Sequence, residues 1–549
     1  MFRANRTISG SHSSNNAGKA RSPLPVVLLH WLLVALIVVG FLSGQRIAGD
    51  HLLYRDTPLA DWLPDGSVFV WHIAGAHVLS AVFLAYLMYA LVTGRYRRFR
   101  LNGFDLRNAR NRRTVLNRLL LLAGLVLLGG LIVTGILTYS ESPVSTVTVR
   151  KLHRLLSWLV VAYPVPHILL LMLDGGVPRL LSMLYAKVTG PVTAALLLAV
   201  SAAVTWWLLP LVFRPLVLPR VVQAPVVDGK PDDAVWTQAV AATLYTKLGN
   251  NDSGAVTPVS VRGVYDGERA YLLLSWPDRT ASLAHLPLVK REPGWRMITQ
   301  GYEIDDEVRY YEDKLAVMLS NAGPLAAMQS IHLGDTPLAD ARSPRHRRGY
   351  HYTTDGGVLD VWHWKAVRTN NYFQADDNYF GPPRHQRACD ARYKAGYMPD
   401  PSLGGGFADN IRFFRRTGVT PLRLPRSSRH RAALSASAPA TDLPVNLMRV
   451  DDGVPFHSDL DKLISAGTQI PSILAKEPLQ GDRGNVGAKG GWSDGYWHLE
   501  MSRALDTGSP YDVAVSDGTF LWVAVFDHAQ TRHSYHLWPL RIRLGAGAS

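Results

Sequence analysis

The chain holds one cysteine, Cys389, among 549 residues, so an intrachain disulfide is impossible. Charge is scarce as well: Asp, Glu, Lys and Arg make up 18 % of the chain. The usual catalytic signatures are missing. There is no G-x-S-x-G, no H-E-x-x-H, no Walker loop and no dinucleotide fingerprint leading into a helix. Hydrolytic and nucleotide-dependent chemistry therefore find no support. The net charge is +15, yet much of the first half's basic character sits in short Arg-rich segments beside apolar runs. Nucleic acid would call for a continuous basic, aromatic-studded face, and is excluded as a partner.

What the chain has in abundance is apolar runs. Five of them, at about 24–44, 67–92, 116–139, 149–173 and 190–213, reach or approach the roughly 20 residues that a bilayer span needs. Between the second and third lies RYRRFRLNGFDLRNARNRR, with eight arginines and one aspartate. The positive-inside rule places that loop in the cytoplasm. The N-terminus is then cytoplasmic too, loops 45–66 and 140–148 face outward, and a fifth crossing delivers everything after about Phe213 to the periplasm of a bacterial inner membrane. Residues 1–22 are polar and expected to be disordered. The apolar run after them is too long for a signal-peptide core and reads as a retained helix.

Histidines interrupt these runs. His153 and His167 are fourteen positions apart in one apolar segment. On a continuous helix they stand about 21 Å apart along the axis and within roughly 40° of one direction. The topology puts His72 and His153 at one depth, and His30 and His167 at the other. An ionisable ring in lipid needs a reason, and one such histidine alone is often a helix–helix hydrogen bond. Four at two matched depths on three helices point instead to two bis-imidazole haem sites within a bundle. His77, five residues after His72, points roughly 140° away and replaces it only if the helix is rotated. Gly40, Gly44 and Gly75 give room either for a porphyrin or for close helix packing. Arg150, Lys151 and Arg154 beside His153 either receive propionates or sit at the interface. Cys389 stands in ACDARY, not C-x-x-C-H, so the haem is non-covalent, b-type.

His30-Trp31 early in the first helix, His72-x-x-Gly75 in the second and the fourteen-residue histidine pair together resemble the bacterial cytochrome b561 family. That family groups with the di-haem b subunits of formate dehydrogenases and nickel–iron hydrogenases. The resemblance covers about residues 22–190 and implies quinone and lipid as interaction partners.

After RPLVLPRVVQAPVV, which reads as a Pro-punctuated linker, the pattern changes to β-rich alternation broken by turn residues. An antiparallel β-sandwich with long insertions is expected, one insertion at about 425–445 being mobile. The expected fold class is thus a membrane α-helical bundle, a four-helix di-haem core plus a fifth transmembrane helix, followed by a mainly β periplasmic sandwich. The boundaries are 1–22, 23–215 for the membrane part, 216–225 for the linker and 226–549 for the sandwich. Within the last, VDGKPDDAVW, YEDKLAVM, LDVWHWKAVRT, AKGGWSDGYWHLEMSRALDTG and VAVFDHA resemble the ethylbenzene dehydrogenase-type haem-binding domain, the haem b subunit of periplasmic molybdenum enzymes. The resemblance implies one haem b with methionine and lysine ligands, carried here onto Met328 and Lys489. Met318 and Lys365 are the competing choices, and His332, His351 and His363 lie nearby. A ligating lysine must be neutral, hence desolvated.

The chain is accordingly expected to relay electrons between the quinone pool and a periplasmic redox partner, such as a molybdoenzyme, through two membrane haems and one periplasmic haem. Quinol oxidation or quinone reduction would be its only catalysis, and a second copy of the chain is a further candidate partner. Two rival readings are a membrane-anchored ligand-binding or sensory sandwich without redox function, and a partner-independent reductase at the outer face.

Overall fold

The computed structural model describes residues 22–48, 62–99, 109–140, 146–184, 186–187, 191–208, 214–249, 256–301, 307–334, 337–338, 349–386, 393–415, 418–427 and 447–545. The expected disordered N-terminus, Cys389 and nearly all of the 425–445 insertion lie outside them.

The apolar runs form helices α1 (Leu24–Ala48), α2 (Val68–Val92), α3 (Ala109–Tyr139), α4 (Thr146–Ala162), α5 (Pro164–Leu181) and α6 (Pro191–Leu208). Among the described residues, four spans are long and apolar enough to cross a membrane: Leu24–Ala48, Val68–Val92, Asn111–Tyr139 and Val147–Leu173. The last runs through both α4 and α5. Pro164 and Pro166 each lack the N–H that an α-helix needs, which divides the assignment. Tyr163 nevertheless keeps helical backbone angles. Its N–H reaches Leu159 O at 2.9 Å, and His167 N–H reaches Tyr163 O at 3.2 Å, so the direction is carried through. Gly176, at φ 64°, then breaks the helix one turn before Leu181. α6 covers 18 residues of the expected fifth span, and 209–213 lie outside the described residues.

The two main sheets of the β domain are built from thirteen strands. They are β1 (Pro215–Pro219), β2 (Ala242–Thr246), β3 (Thr257–Tyr265), β4 (Arg269–Pro277), β5 (Lys314–Ser320), β6 (Leu359–Lys365), β7 (Asp376–Phe380), β8 (Tyr397–Pro399), β9 (Gly487–Ser493), β10 (Tyr496–Ala504), β11 (Phe520–Phe526), β12 (Ser534–Tyr535) and β13 (Leu540–Gly545). One sheet has the order β8-β7-β6-β5-β11-β13-β1, with β12 beside β11; the other runs β9-β10-β4-β3-β2. Within these two sheets every strand pairing is antiparallel except β13 with β1. Alternation puts Leu272, Leu274, Trp276, Val317, Trp362, Trp364, Leu499 and Val523 between the sheets, all nearly fully buried in one core. A smaller sheet, Leu288–Arg291 with Gly294–Met297, Ile411–Arg415, Gly418–Pro421 and Gln469–Ile470, packs its own apolar cluster around Trp295.

The expected linker needs correction. Residues 215–219 are a strand, not a tether: Leu216 and Leu218 are fully buried in the sandwich core, and the strand pairs in parallel with the chain's last strand. The compact units also differ from the expected boundaries. Met1–Val39, Ala76–Ile132 and Leu155–Trp206 form one unit; Gly40–Gly75, Val133–Arg154 and Trp207–Ser549 form the other. The second unit therefore combines helix ends with the whole β domain. Inside it, Gly66 and Leu333 exchange backbone hydrogen bonds of 2.9 Å. Lys247 Nζ donates to Ser140 O at 2.7 Å, placing a positive charge at the C-terminal end of α3, where the helix dipole favours it. Ile73, Met328, Leu537 and Trp538 close the apolar contact.

Candidate functional site

Within the second unit, α2 presents His72 and α4 presents His153, with ring centroids 6.4 Å apart and planes at 86°. Each ring is seated by a hydroxyl and a glycine from a neighbouring helix. Ser43 Oγ lies 3.0 Å from His72 Nδ1, and Thr134 Oγ1 lies 3.0 Å from His153 Nδ1. Ser43 donates its own proton to Gly40 O at 3.2 Å. With that proton on Gly40 O, the Ser43 oxygen is free to accept His72 Nδ1–H, the tautomer that leaves the Nε2 lone pair for a metal. Gly44 and Gly135 follow the two hydroxyl residues. A Cβ at Gly44 would come within 3.1 Å of His72 Cε1, and one at Gly135 within 3.2 Å of His153 Cε1. The glycines are what let the rings approach their seats.

These residues fit haem iron. Two metal–nitrogen bonds of about 2.0 Å, plus about 1.1 Å from each nitrogen to its ring centre, put facing imidazole centroids about 6.2 Å apart. The observed 6.4 Å meets that requirement. It is His72 that faces His153; His77 belongs to the other unit. Arg150 and Lys151, flanking His153, are exposed.

The first unit holds His30 on α1 and His167 on α5. His167 is stacked on Tyr163, centroids 5.4 Å apart and planes at 18°. Tyr163 fits only because residue 124 is glycine: a Cβ there would lie 2.6 Å from Tyr163 Cζ. His167 Nδ1 is buried and has no hydrogen-bond partner among the described residues. A buried ring nitrogen left unpaired in a bundle is costly.

The β domain is different. Met328 sits on a one-turn helix, Ala326–Gln329, 2 % exposed and packed with Ile73, Leu537 and Trp538. Lys489 lies on β9, half-buried, its Nζ donating to Asn370 O at 3.2 Å and standing 4.3 Å from the Phe373 ring centre. Burial does lower the Lys489 pKa, as a ligating amine requires. Yet among the described residues the neighbours of the two do not overlap, and the structure does not bring Met328 and Lys489 together. The competing residues are also engaged. Met318 packs against the cluster of Ala326, Leu359 and Trp522. Lys365 is paired with Asp376 and, by burial, held down to about 8. His332 stacks on Tyr352, and His351 lies against Phe380. His363 Nδ1 meets the Tyr397 hydroxyl at 3.3 Å. The residues present do not fit a haem held between Met328 and Lys489.

Facing imidazoles between apolar helices, beside a β-sandwich, define the class: a membrane cytochrome of b type with an appended β domain. The chain belongs to the ethylbenzene dehydrogenase family, whose model matches residues 232–537, and it carries the prokaryotic cytochrome b561 domain over residues 21–186. The latter establishes haem b in the membrane part and electron transfer as its business. Comparison with curated proteins gave no match. Among solved structures, a family 9 carbohydrate-binding module from Caldicellulosiruptor kristjanssonii in complex with cellotriose is 9 % identical, covers 61 % of this chain and 95 % of its own, and has a TM-score of 0.23. The same module in complex with glucose is 9 % identical with a TM-score of 0.23, covering 61 % and 97 %. Likeness at that level carries no argument about this chain.

Reading the sequence finds the four histidines and Gly44. It misses Ser43, Thr134, Gly135, Tyr163 and Gly124. The signal was present: a small hydroxyl residue followed by glycine occurs in α1 and again in α3, each aimed at a histidine.

Proposed function

We propose that the chain relays electrons between membrane quinone and a redox protein on the periplasmic side of a bacterial inner membrane, using two haems b ligated by His30–His167 and His72–His153. The observation that carries this reading is the His72–His153 pair, 6.4 Å apart and held at both Nδ1 atoms. Haem supplies a one-electron couple when bound. The chain's own residues orient the imidazoles: Ser43 accepts the Nδ1 proton of His72, Thr134 holds His153, and Tyr163 fixes the plane of His167. The fourteen-residue spacing of His153 and His167 sets one ligand of each pair on the same span. The third haem implied by resemblance is left out, because its two ligands are not neighbours. A molybdenum enzyme remains the partner that the ethylbenzene dehydrogenase resemblance favours, and a second copy of the chain is the alternative.

Pyridine haemochrome analysis of the detergent-solubilised chain tests this. About two haems per chain are expected. His72→Ala and His167→Ala should each remove about one. An unchanged ratio in either variant overturns that pair, and a ratio near three restores the β-domain haem.

A further inference from the structure

Away from the histidines, the β domain buries four carboxylates around Arg503, the one arginine paired with them among the described residues. Asp360 is on β6, Asp377 on the adjoining β7, Asp400 directly follows β8, and Asp512 lies between β10 and β11. Oxygens of Asp360, Asp377 and Asp512 all lie within 4.8 Å of one another. Arg503, from β10 on the opposite sheet, is fully buried; it pairs with Asp360 and stands 3.8 Å from Asp377 and 3.5 Å from Asp512. Its second amino group is taken by Val513 O. One guanidinium cannot compensate four buried carboxylates, because an unpaired charge loses its hydration without recovering it.

A separate observation shows that something is owed to this cluster. Asp400 is 2 % exposed and, among the described residues, neither of its carboxylate oxygens has a hydrogen-bond partner. Its backbone N–H donates to Asp377 O at 3.0 Å, which sets it beside the cluster, and the carboxyls of Asp512 and Asp360 are near enough to raise its pKa; carboxylates so close need a proton or a cation among them. Among the described residues, Asp360 Oδ1 is likewise buried without a hydrogen-bond partner, and Asp377 Oδ2 and Asp512 Oδ1 make no hydrogen bond and have only the Arg503 guanidinium near them, at 3.8 and 3.5 Å. Asn485 gives its Nδ2 proton to Asp512 Oδ2 at 2.9 Å, while its own Oδ1 is buried and has no hydrogen-bond partner among the described residues.

We propose that Asp360, Asp377, Asp400 and Asp512, with Asn485 Oδ1, form a binding site for one hard divalent cation of the calcium type. The donors are all oxygen, which excludes a soft-metal site. Calcium tolerates irregular shells of six to eight oxygens, whereas magnesium demands a near-ideal octahedron and keeps its waters, which a site this buried does not favour. The ion ties β6, β7, the segment after β8 and the β10–β11 connection into one point, opposite Arg503. Without it, burial and neighbouring carboxylates push Asp400 up to about 8, and burial holds Asp360 at about 6 despite Arg503. Protons would then take the cation's place.

The test uses the full chain in detergent, stripped with EDTA and then titrated with calcium or magnesium. Elemental analysis before stripping should find about one calcium per chain. Stripping should lower the unfolding temperature seen by tryptophan fluorescence by ~5 °C, and calcium but not magnesium should restore it. Asp400→Asn should weaken calcium binding by ~100-fold with haem per chain unchanged. No retained metal, together with an unfolding temperature indifferent to EDTA and to millimolar calcium, overturns the site. So does stoichiometric zinc in place of calcium. Both outcomes are read on the unmodified chain, so a variant that fails to fold leaves the test intact, and neither depends on the haem count.

Discussion

A histidine that ligates a metal is only as well placed as the atom behind it. Here that atom is a hydroxyl in both halves of the pair, Ser43 behind His72 and Thr134 behind His153, each at 3.0 Å. Such supporting contacts are worth about 10- to 100-fold in metal affinity. The double variant Ser43→Ala, Thr134→Ala should therefore still bind two haems but release one of them ~10-fold faster to apomyoglobin. Release as slow as in the unaltered chain would mean that the hydroxyls only pack. The four ligand candidates were legible in the sequence because an ionisable ring in an apolar run is conspicuous. Ser43 and Thr134 were not, since small hydroxyl residues are common in membrane helices and satisfy themselves on the preceding turn, as Ser80 and Ser201 do here. Met328 was misleading for the opposite reason. A methionine's chemistry is visible in a sequence and its packing is not.

Among elements, the helices were set by their apolar length and the sandwich strands by alternation, as β3 shows with every second residue buried. The strand Pro215–Pro219 escaped because its partner is the last strand of the chain, and a pairing so distant leaves no local trace. One link between strands carries a pH dependence. His536, just after β12, accepts the Val523 N–H of β11 at Nε2, 2.8 Å away, and its Nδ1 lies 2.7 Å from Trp538 O. That arrangement requires the neutral ring, and burial, foremost, holds its pKa down to about 4. The unfolded chain takes up this proton near pH 6.5 and the folded one near 4, so stability falls as pH drops across that window. The loss amounts to about 3 kcal/mol at the acid end. Thermal unfolding of the chain followed from pH 7 to pH 4 should show the decline, and His536→Gln should flatten much of it; an equal slope in both would assign the effect to other groups.

On the scale of the whole molecule, an odd number of crossings is what would place helical bundle and β domain on opposite terms with the membrane. Among the described residues four spans are long and apolar enough to cross, and α6 would supply the fifth. A protease-cleavable tag at the C-terminus should be cut from outside in intact spheroplasts, while one at the N-terminus should survive; the reverse pattern would sink the five-crossing topology. The unit that joins Gly40–Gly75 and Val133–Arg154 to the β domain has a practical corollary. Ile73 and the helix ends cover Met328, Leu537 and Trp538, and Lys247 is spent on carbonyls that the helices provide. Severed at the membrane, the sandwich would be left with a raw, water-averse underside and a buried amine with nothing to bind. It is a lobe that has given up the option of a free-swimming life.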